Sequence, residues 1–247
     1  MRYGSTRKHG SIHRALYVNQ LSVDDPTQVI HHLINDAIVE YVPLATSVLD
    51  VGCGVGASLD ALGQLRPQLV HRHGVTLSRV QARMAQRIDT SVIVATYHAL
   101  PYPDASVDVV IAIESMIHSD QPTLFWSEVA RVLRRGGMVY VCDDMVCDDA
   151  HPLIRVFTQG WHAPNLQSCD AHVSLAAAYG LTLQTSTNLT NHLRLLVAPL
   201  SIMRLATSAY DLVERFPIIT STIGSMALQH LLADQAVAYT SLVFVRS

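Results

Sequence analysis

Apolar and polar positions follow two different periods along this chain. Ile30, Leu33, Ile34, Ala37, Ile38 and Tyr41 recur at helical spacing and predict an amphipathic helix. Asp25 is placed to cap it, Pro26 to occupy its first turn and Pro43 to stop it. A short aromatic element, Leu16-Tyr17-Val18, precedes it. From residue 48 the pattern changes to short strand segments at 48–51, 69–76, 91–96, 107–113 and 138–142, of which 48–51 (Val48, Leu49, Val51) and 107–113 are strongly apolar. Runs of this kind are strands covered on both faces, as in a parallel sheet between helix layers. Helical periodicity returns at 58–65, after Asp120 and Pro122 (Leu124, Phe125, Val129, Val132 and Leu133 on one side), and at 170–179, closed by Gly180. Residues 181–187 and 239–246 read as two last strands, separated by a long apolar, mostly helical stretch at 192–235. Strands alternating with helices place the chain in the α/β class.

Composition narrows this picture. The 247 residues suit one domain with insertions, and a hydrophobic share of 49% against 15% charged leaves much apolar surface to be covered. The net charge of −3 carries no nucleic-acid footprint; Arg66, Arg72, Arg79, Arg83 and Arg87 lie close together, but two or three arginines on a helix face are usually just solvated. Cys53, Cys142, Cys147 and Cys169 form no C-x-x-C pair, so reduced thiols in a cytoplasmic protein are expected rather than disulfides or zinc. The first residues (Arg2, Ser5, Arg7, Lys8, His9) are polar, unlike a signal peptide. No run of about 18 uncharged apolar residues predicts a transmembrane segment. Oligomeric state, a homodimer included, stays open.

The chemistry gathers first at Val48-Leu49-Asp50-Val51-Gly52-Cys53-Gly54-Val55-Gly56-Ala57-Ser58, a strand, a glycine turn and a helix start. Glycines let a backbone approach a ligand closely, and a helix N-terminus presents free N–H groups to it. Gly52, Gly54 and Ala57 fit the dinucleotide pattern G-x-G-x-x-G/A. Asp50, Gly52, Gly54 and Gly56 fit D-x-G-x-G-x-G instead, which resembles motif I of the class I S-adenosylmethionine-dependent methyltransferases. A dinucleotide site needs an acidic residue about 20 positions on. None stands between Asp60 and Asp89, although Arg72 or Arg79 is placed to meet an NADP phosphate.

Three further stretches resemble that family in order. Gly74-Val75-Thr76-Leu77-Ser78-Arg79-Val80-Gln81 resembles a motif of cyclopropane-fatty-acid synthases and of sterol, tocopherol and natural-product methyltransferases. The resemblance gives Thr76, Ser78 and Gln81 the ribose contacts, while the residues alone allow Ser78 simply to cap the next helix. Thr96-Tyr97-His98-Ala99-Leu100-Pro101-Tyr102 aligns with D-A-x-x-L-P-[FY], with Thr96 where family members carry Asp near the adenine amine. Glu114-Ser115-Met116-Ile117-His118 resembles the E-S-x-x-H found where the fourth strand opens on the active site. Glu114 and His118 are therefore the candidate acid–base groups, paired with each other or turned to the acceptor. The Leu133-Arg134-Arg135-Gly136-Gly137 turn before a strand is also usual there. Asp143-Asp144 and Asp148-Asp149 are a solvated loop, or less commonly a Mg²⁺ site. No other metal is expected.

The resemblance implies a Rossmann-like, doubly wound, mostly parallel seven-stranded sheet with one antiparallel edge strand, plus a helical cap and insertion. It divides one domain into a cap (1–43), a cofactor-binding core (44–190 and 236–247) and an insertion enclosing the acceptor (191–235). S-adenosylmethionine would meet Asp50, Gly52, Cys53, Gly54, Thr76, Leu77, Ser78, Gln81, Thr96, Tyr97, His98 and Glu114. A small, mostly apolar methyl acceptor, methylated at C, O or N, would meet Tyr17, His118, Trp161 and Met203. An NADP oxidoreductase and a non-catalytic cofactor-binding protein are the alternatives.

Overall fold

A computed structural model describes residues 13–18, 23–85, 90–213 and 215–247. The polar start (Arg2 to His9) and Arg87 lie outside the described residues. Seven strands form one sheet in the order β3-β2-β1-β4-β5-β7-β6. They are β1 (Ser47–Val51), β2 (His71–Thr76), β3 (Ser91–Val94), β4 (Val107–Ile113), β5 (Leu133–Val146), β6 (Leu181–Asn188) and β7 (Val237–Arg246). The pairs among β1 to β5 are parallel, and β7 runs antiparallel to both β5 and β6. The reversed strand thus lies one place in from the edge, and β6 forms the edge itself.

The apolar strand positions resolve into two interleaved faces. Val48, Val109, Ile111, Met138 and Tyr140 join one buried cluster; Leu49, Val51, Val110, Val139 and Val141 join the other. Successive strand residues point to opposite faces, so an all-apolar strand feeds two cores at once. The first core is covered by α1 (Val29–Tyr41), α2 (Ala57–Leu65) and α9 (Pro217–Ala233) through Ile34, Ile38, Leu59, Leu62, Leu228 and Leu231. The second is covered by α4 (Pro122–Val132) and α6 (Cys169–Ala177), with Phe125, Trp126 and Val129 fully buried. The remaining helices are α3 (Arg79–Ala85), α5 (Ile154–Gly160), α7 (Leu200–Ser208) and α8 (Tyr210–Val213).

Local signals operate at the expected places with small shifts. Asp25 caps by accepting from Thr27 N, but the first turn, Pro26–Gln28, is 3-10 before α1 begins. Arg134 to Gly137 do not form a separate turn. They are drawn into β5 as an irregularity opposite Val107 and Val109, with Gly136 at φ +72°. Asp143 and Asp144 are a second correction: they lie inside β5, each at most 2% exposed, because pairing with β7 continues to Val146. Asp148 and Asp149 are exposed, as a loop pair should be. Of the clustered arginines, Arg79 and Arg83 are exposed on α3, whereas Arg66 is buried and donates to Pro43 O, and Arg72 donates to Leu69 O. No helix among the described residues is long and apolar enough to cross a membrane.

Candidate active site

The glycine turn sits at the carboxyl end of β1, between the ends of β2 and β4. Gly52 N and Cys53 N both donate to Val75 O, at 2.9 and 3.0 Å, which pins the turn to β2. Gly52, Gly54 and Gly56 have φ of +99°, +53° and +81°, a backbone that L side chains rarely adopt. A Cβ on Gly52 would stand 2.4 Å from Ser115 Cβ. Gly52 is therefore required by the packing of one loop on another, since Ser115 Oγ donates to Val51 O across the same gap at 2.8 Å. Gly54 differs: a Cβ there would meet only Gln81 Nε2, 4.0 Å away, so the turn is open on that side. Cys53 turns its thiol into the core against Gly74, where burial pushes its pKa well up.

Asp50 is buried at the end of β1, and no hydrogen bond among the described residues reaches its carboxylate. Burial alone pushes its pKa up to about 7. A buried carboxyl without donors lacks a partner that a cationic ligand group supplies. At the end of β2, Thr76 Oγ1 donates to Gln81 Oε1 at 2.8 Å and accepts from Ser78 N at 3.2 Å. Ser78 Oγ accepts from Gln81 N at 3.3 Å, so Ser78 serves as the cap of α3. The network holds Gln81 with its Nε2 donors toward Gly54.

A cleft of about 950 Å³ continues from there, walled by Leu77, Thr96, Tyr97, His98, His118 and residues of α5 and α9. Thr96 Oγ1 accepts from His98 N at 3.2 Å, and His98 Nε2 lies 2.7 Å from Ser119 Oγ. Tyr97 donates to Ser115 O at 3.3 Å and packs edge-on against Phe125, with burial raising its hydroxyl pKa to about 12. His118 is exposed to this cleft, and its Nδ1 lies 3.2 Å from His162 O. If Nδ1 holds the proton, Nε2 is a proton acceptor.

Glu114 has other partners. Its backbone is left-handed (φ +50°), and its Oε1 accepts from Arg14 N at 3.0 Å and Tyr239 OH at 2.8 Å. The expected Glu114–His118 pairing is absent, because the short 3-10 turn Met116–His118 carries the histidine to the cleft wall while the strand end keeps the glutamate beside β7. Oε2 has no hydrogen-bond partner among the described residues. Sequence reasoning missed Arg14. Its guanidinium holds both oxygens of buried Asp144, at 2.6 and 2.5 Å, and lies 4.6 Å from the Tyr239 ring centroid and 5.7 Å from that of Trp161. Burial disfavours its charge, but Asp144 outweighs this and its pKa is raised. Asp143 is spoken for by Ile117 N and Asp144 N, both at 2.9 Å. Neither carboxylate is thus free for Mg²⁺, and no group of three potential metal ligands occurs among the described residues.

Of the proposed acceptor contacts, Trp161 is the one that joins the Arg14–Glu114–Tyr239 cluster; its Nε1 donates to Ser225 Oγ at 3.0 Å. Tyr17 instead lines a second cavity of about 520 Å³ between the 13–17 segment and α9, with Arg194 stacked 3.7 Å over its ring. Met203 is buried under α7 and lines neither cavity. The resemblance that suggested these residues points to segments near the acceptor, not to which cavity each side chain meets.

Residues 49–141 match the family described as "Methyltransferase domain". The chain is 28% identical to a 2-methyl-6-phytyl-1,4-hydroquinone methyltransferase of Synechocystis sp. over 62% of its own length and 51% of that protein. It is 33% identical to an O-methyltransferase of Aspergillus nomiae over 50% of its length and 58% of that protein. The aligned part therefore spans little more than half of these curated relatives. A solved geranyl diphosphate C-methyltransferase of Streptomyces coelicolor A3(2), bound to Mg²⁺, geranyl diphosphate and S-adenosyl-L-homocysteine, shares the fold. The TM-score is 0.74 at 19% identity, over all of this chain and 93% of that one.

Proposed function

From the premise that this chain carries a class I, S-adenosylmethionine-dependent methyltransferase domain, we propose that it transfers a methyl group to a small, mostly apolar acceptor. One observation carries the reading: an unpartnered buried Asp50, an open left-handed turn at Gly54 and a Gln81 amide held toward it lie together at one strand-end crevice. Ligands of open α/β sheets bind at such crevices.

The residues present fit the cofactor. Asp50 would meet its cationic amino group, Gln81 Nε2 the ribose, and Leu77, Thr96, Tyr97 and His98 the adenine. When bound, the cofactor supplies an electrophilic sulfonium methyl. The chain's share is to hold the acceptor in line with it, an effect worth up to ~7–11 kcal/mol. Glu114 Oε2 and His118 Nε2 are the groups placed to take a proton from an O–H, N–H or carbon acceptor. The described parts of the cap (13–18 and 23–43) and of the insertion (191–213 and 215–235) would enclose that acceptor, and the four free thiols suit a cytoplasmic setting.

Titration calorimetry with S-adenosylhomocysteine and, separately, NADPH tests the reading. Binding of the first alone is expected. Binding of NADPH alone would move the chain to the oxidoreductases, and binding of neither would remove the assignment.

A further inference from the structure

The insertion does more than close a site, because its outer side is apolar. Leu196, Leu200, Ile202, Leu205, Leu212 and Ile218 are each more than half exposed within one short stretch of chain. In α7 Met203 is buried and Leu205 lies opposite it, with exposed Arg204 beside that arc and Leu200 exposed at the helix's first turn. Exposed apolar surface concentrated in this way marks a contact site. The cavity beside Tyr17 opens at it, since Leu196 both lines that cavity and is exposed.

Charge identifies the occupant. Arg194, Arg204 and Arg215 are exposed on this stretch, and among the described residues no acid pairs with any of them. Arg194 stacks on Tyr17 and Arg215 on Phe216. Asp211 is committed to Arg155 at 2.9 Å, and Glu214 lies outside the described residues. Leucines and isoleucines interleaved with unpaired arginines are the pattern of a surface that lies in the headgroup region of an anionic bilayer. Arginine stems add to the apolar contact while the guanidinium stays with the phosphates. A second copy of the chain fits less well, because a two-fold contact would set the arginines of both copies against each other. No described helix is long and apolar enough to span the bilayer, so the contact is peripheral.

We propose that residues 194–213 and 215–219 form a lipid-contact face that docks the protein on an anionic membrane. Vesicle co-sedimentation of the full chain tests this, with phosphatidylcholine vesicles alone and with added phosphatidylglycerol. Binding is expected only with phosphatidylglycerol, and it should weaken as salt rises. Arg204→Glu should weaken it at least about fivefold, the weight of one basic residue at such a surface. The pair Leu200→Glu and Leu205→Glu should abolish it with the melting temperature unchanged, since both side chains are exposed. Equal binding by Arg204→Glu, or no enrichment on phosphatidylglycerol vesicles, would overturn the proposal. So would a wild-type dimer that the leucine pair splits, which would assign the face to a second copy. Cofactor binding is independent of the outcome.

Discussion

Arg14 holds both carboxylate oxygens of Asp144 across 130 residues of sequence, and the pair is almost wholly buried between the rings of Trp161 and Tyr239. The side chains are 11% and 1% exposed. This pair ties the N-terminal segment across the ends of β4 and β5, and the backbone N–H of the same residue anchors Glu114.

Removing one partner of such a pair strands the other charge. Arg14→Ala is therefore expected to cost about 3–5 kcal/mol of stability. Adding Asp144→Asn should recover much of it, because no buried charge is then left alone. Urea denaturation of the single and double variants measures both, and equal losses would show that Asp144 is not stranded.

Gly52 and Gly54 should behave differently. Gly52→Ala puts a Cβ 2.4 Å from Ser115 Cβ at φ +99°, so loss of folded protein is expected. Gly54→Ala meets nothing closer than Gln81 Nε2 and keeps the fold at a cost of roughly 1–2 kcal/mol for the left-handed backbone. Its Cβ stands where the cofactor would lie, so affinity for S-adenosylhomocysteine should fall. Thermal melts and calorimetry separate the two, and a folded Gly52→Ala variant would contradict the packing argument.

Gln81→Ala removes the donors that Thr76 holds in place. A loss of about 1–3 kcal/mol in S-adenosylhomocysteine affinity is expected. Thr76→Val should give part of the same loss by leaving Gln81 Oε1 without its donor. Unchanged affinity in Gln81→Ala would reduce the network to a helix cap.

Cofactor affinity should depend on pH through Asp50. Its folded pKa lies near 7, above the ordinary 3.8, so without ligand it is largely protonated below 7. A cationic group binds the ionised form. Affinity should therefore rise with pH up to about 7 and level off above it, with up to about tenfold per unit below. In the unliganded protein the folded state holds the proton more tightly, so Asp50 and Asp143 both withdraw stability as pH rises from about 4 to about 7. Asp50→Asn should flatten the affinity profile, and a profile that persists in that variant would assign the titration elsewhere.

Glu114→Gln should leave cofactor affinity intact and lower the methyl-transfer rate at least about a hundredfold, the lower end for a general base. Tyr239→Phe loosens Glu114 without removing its carboxylate and should cost less. Single-turnover rates with an identified acceptor measure both. A loss confined to cofactor affinity would make Glu114 a cofactor contact.

Much of this protein is decided locally, and those parts are legible in the sequence. The apolar positions of 48–51 and 107–113 define buried parallel strands because alternate side chains meet one core or the other. The glycine turn and the Ser78 cap depend on backbone angles and neighbours a few residues away. The motifs therefore pointed to one crevice and one class of cofactor. The other half of the site comes from residues distant along the chain. Nothing in a polar N-terminal segment marks Arg14, and nothing in Asp143-Asp144 distinguishes a loop from a strand until β7 pairs with β5 and buries both. Spacing put Glu114 and His118 within reach of each other, yet tertiary packing gave Glu114 to Arg14 and Tyr239 and left His118 with His162. Burial of a charge is tolerated only with a partner, and the fold, not the local pattern, supplies that partner.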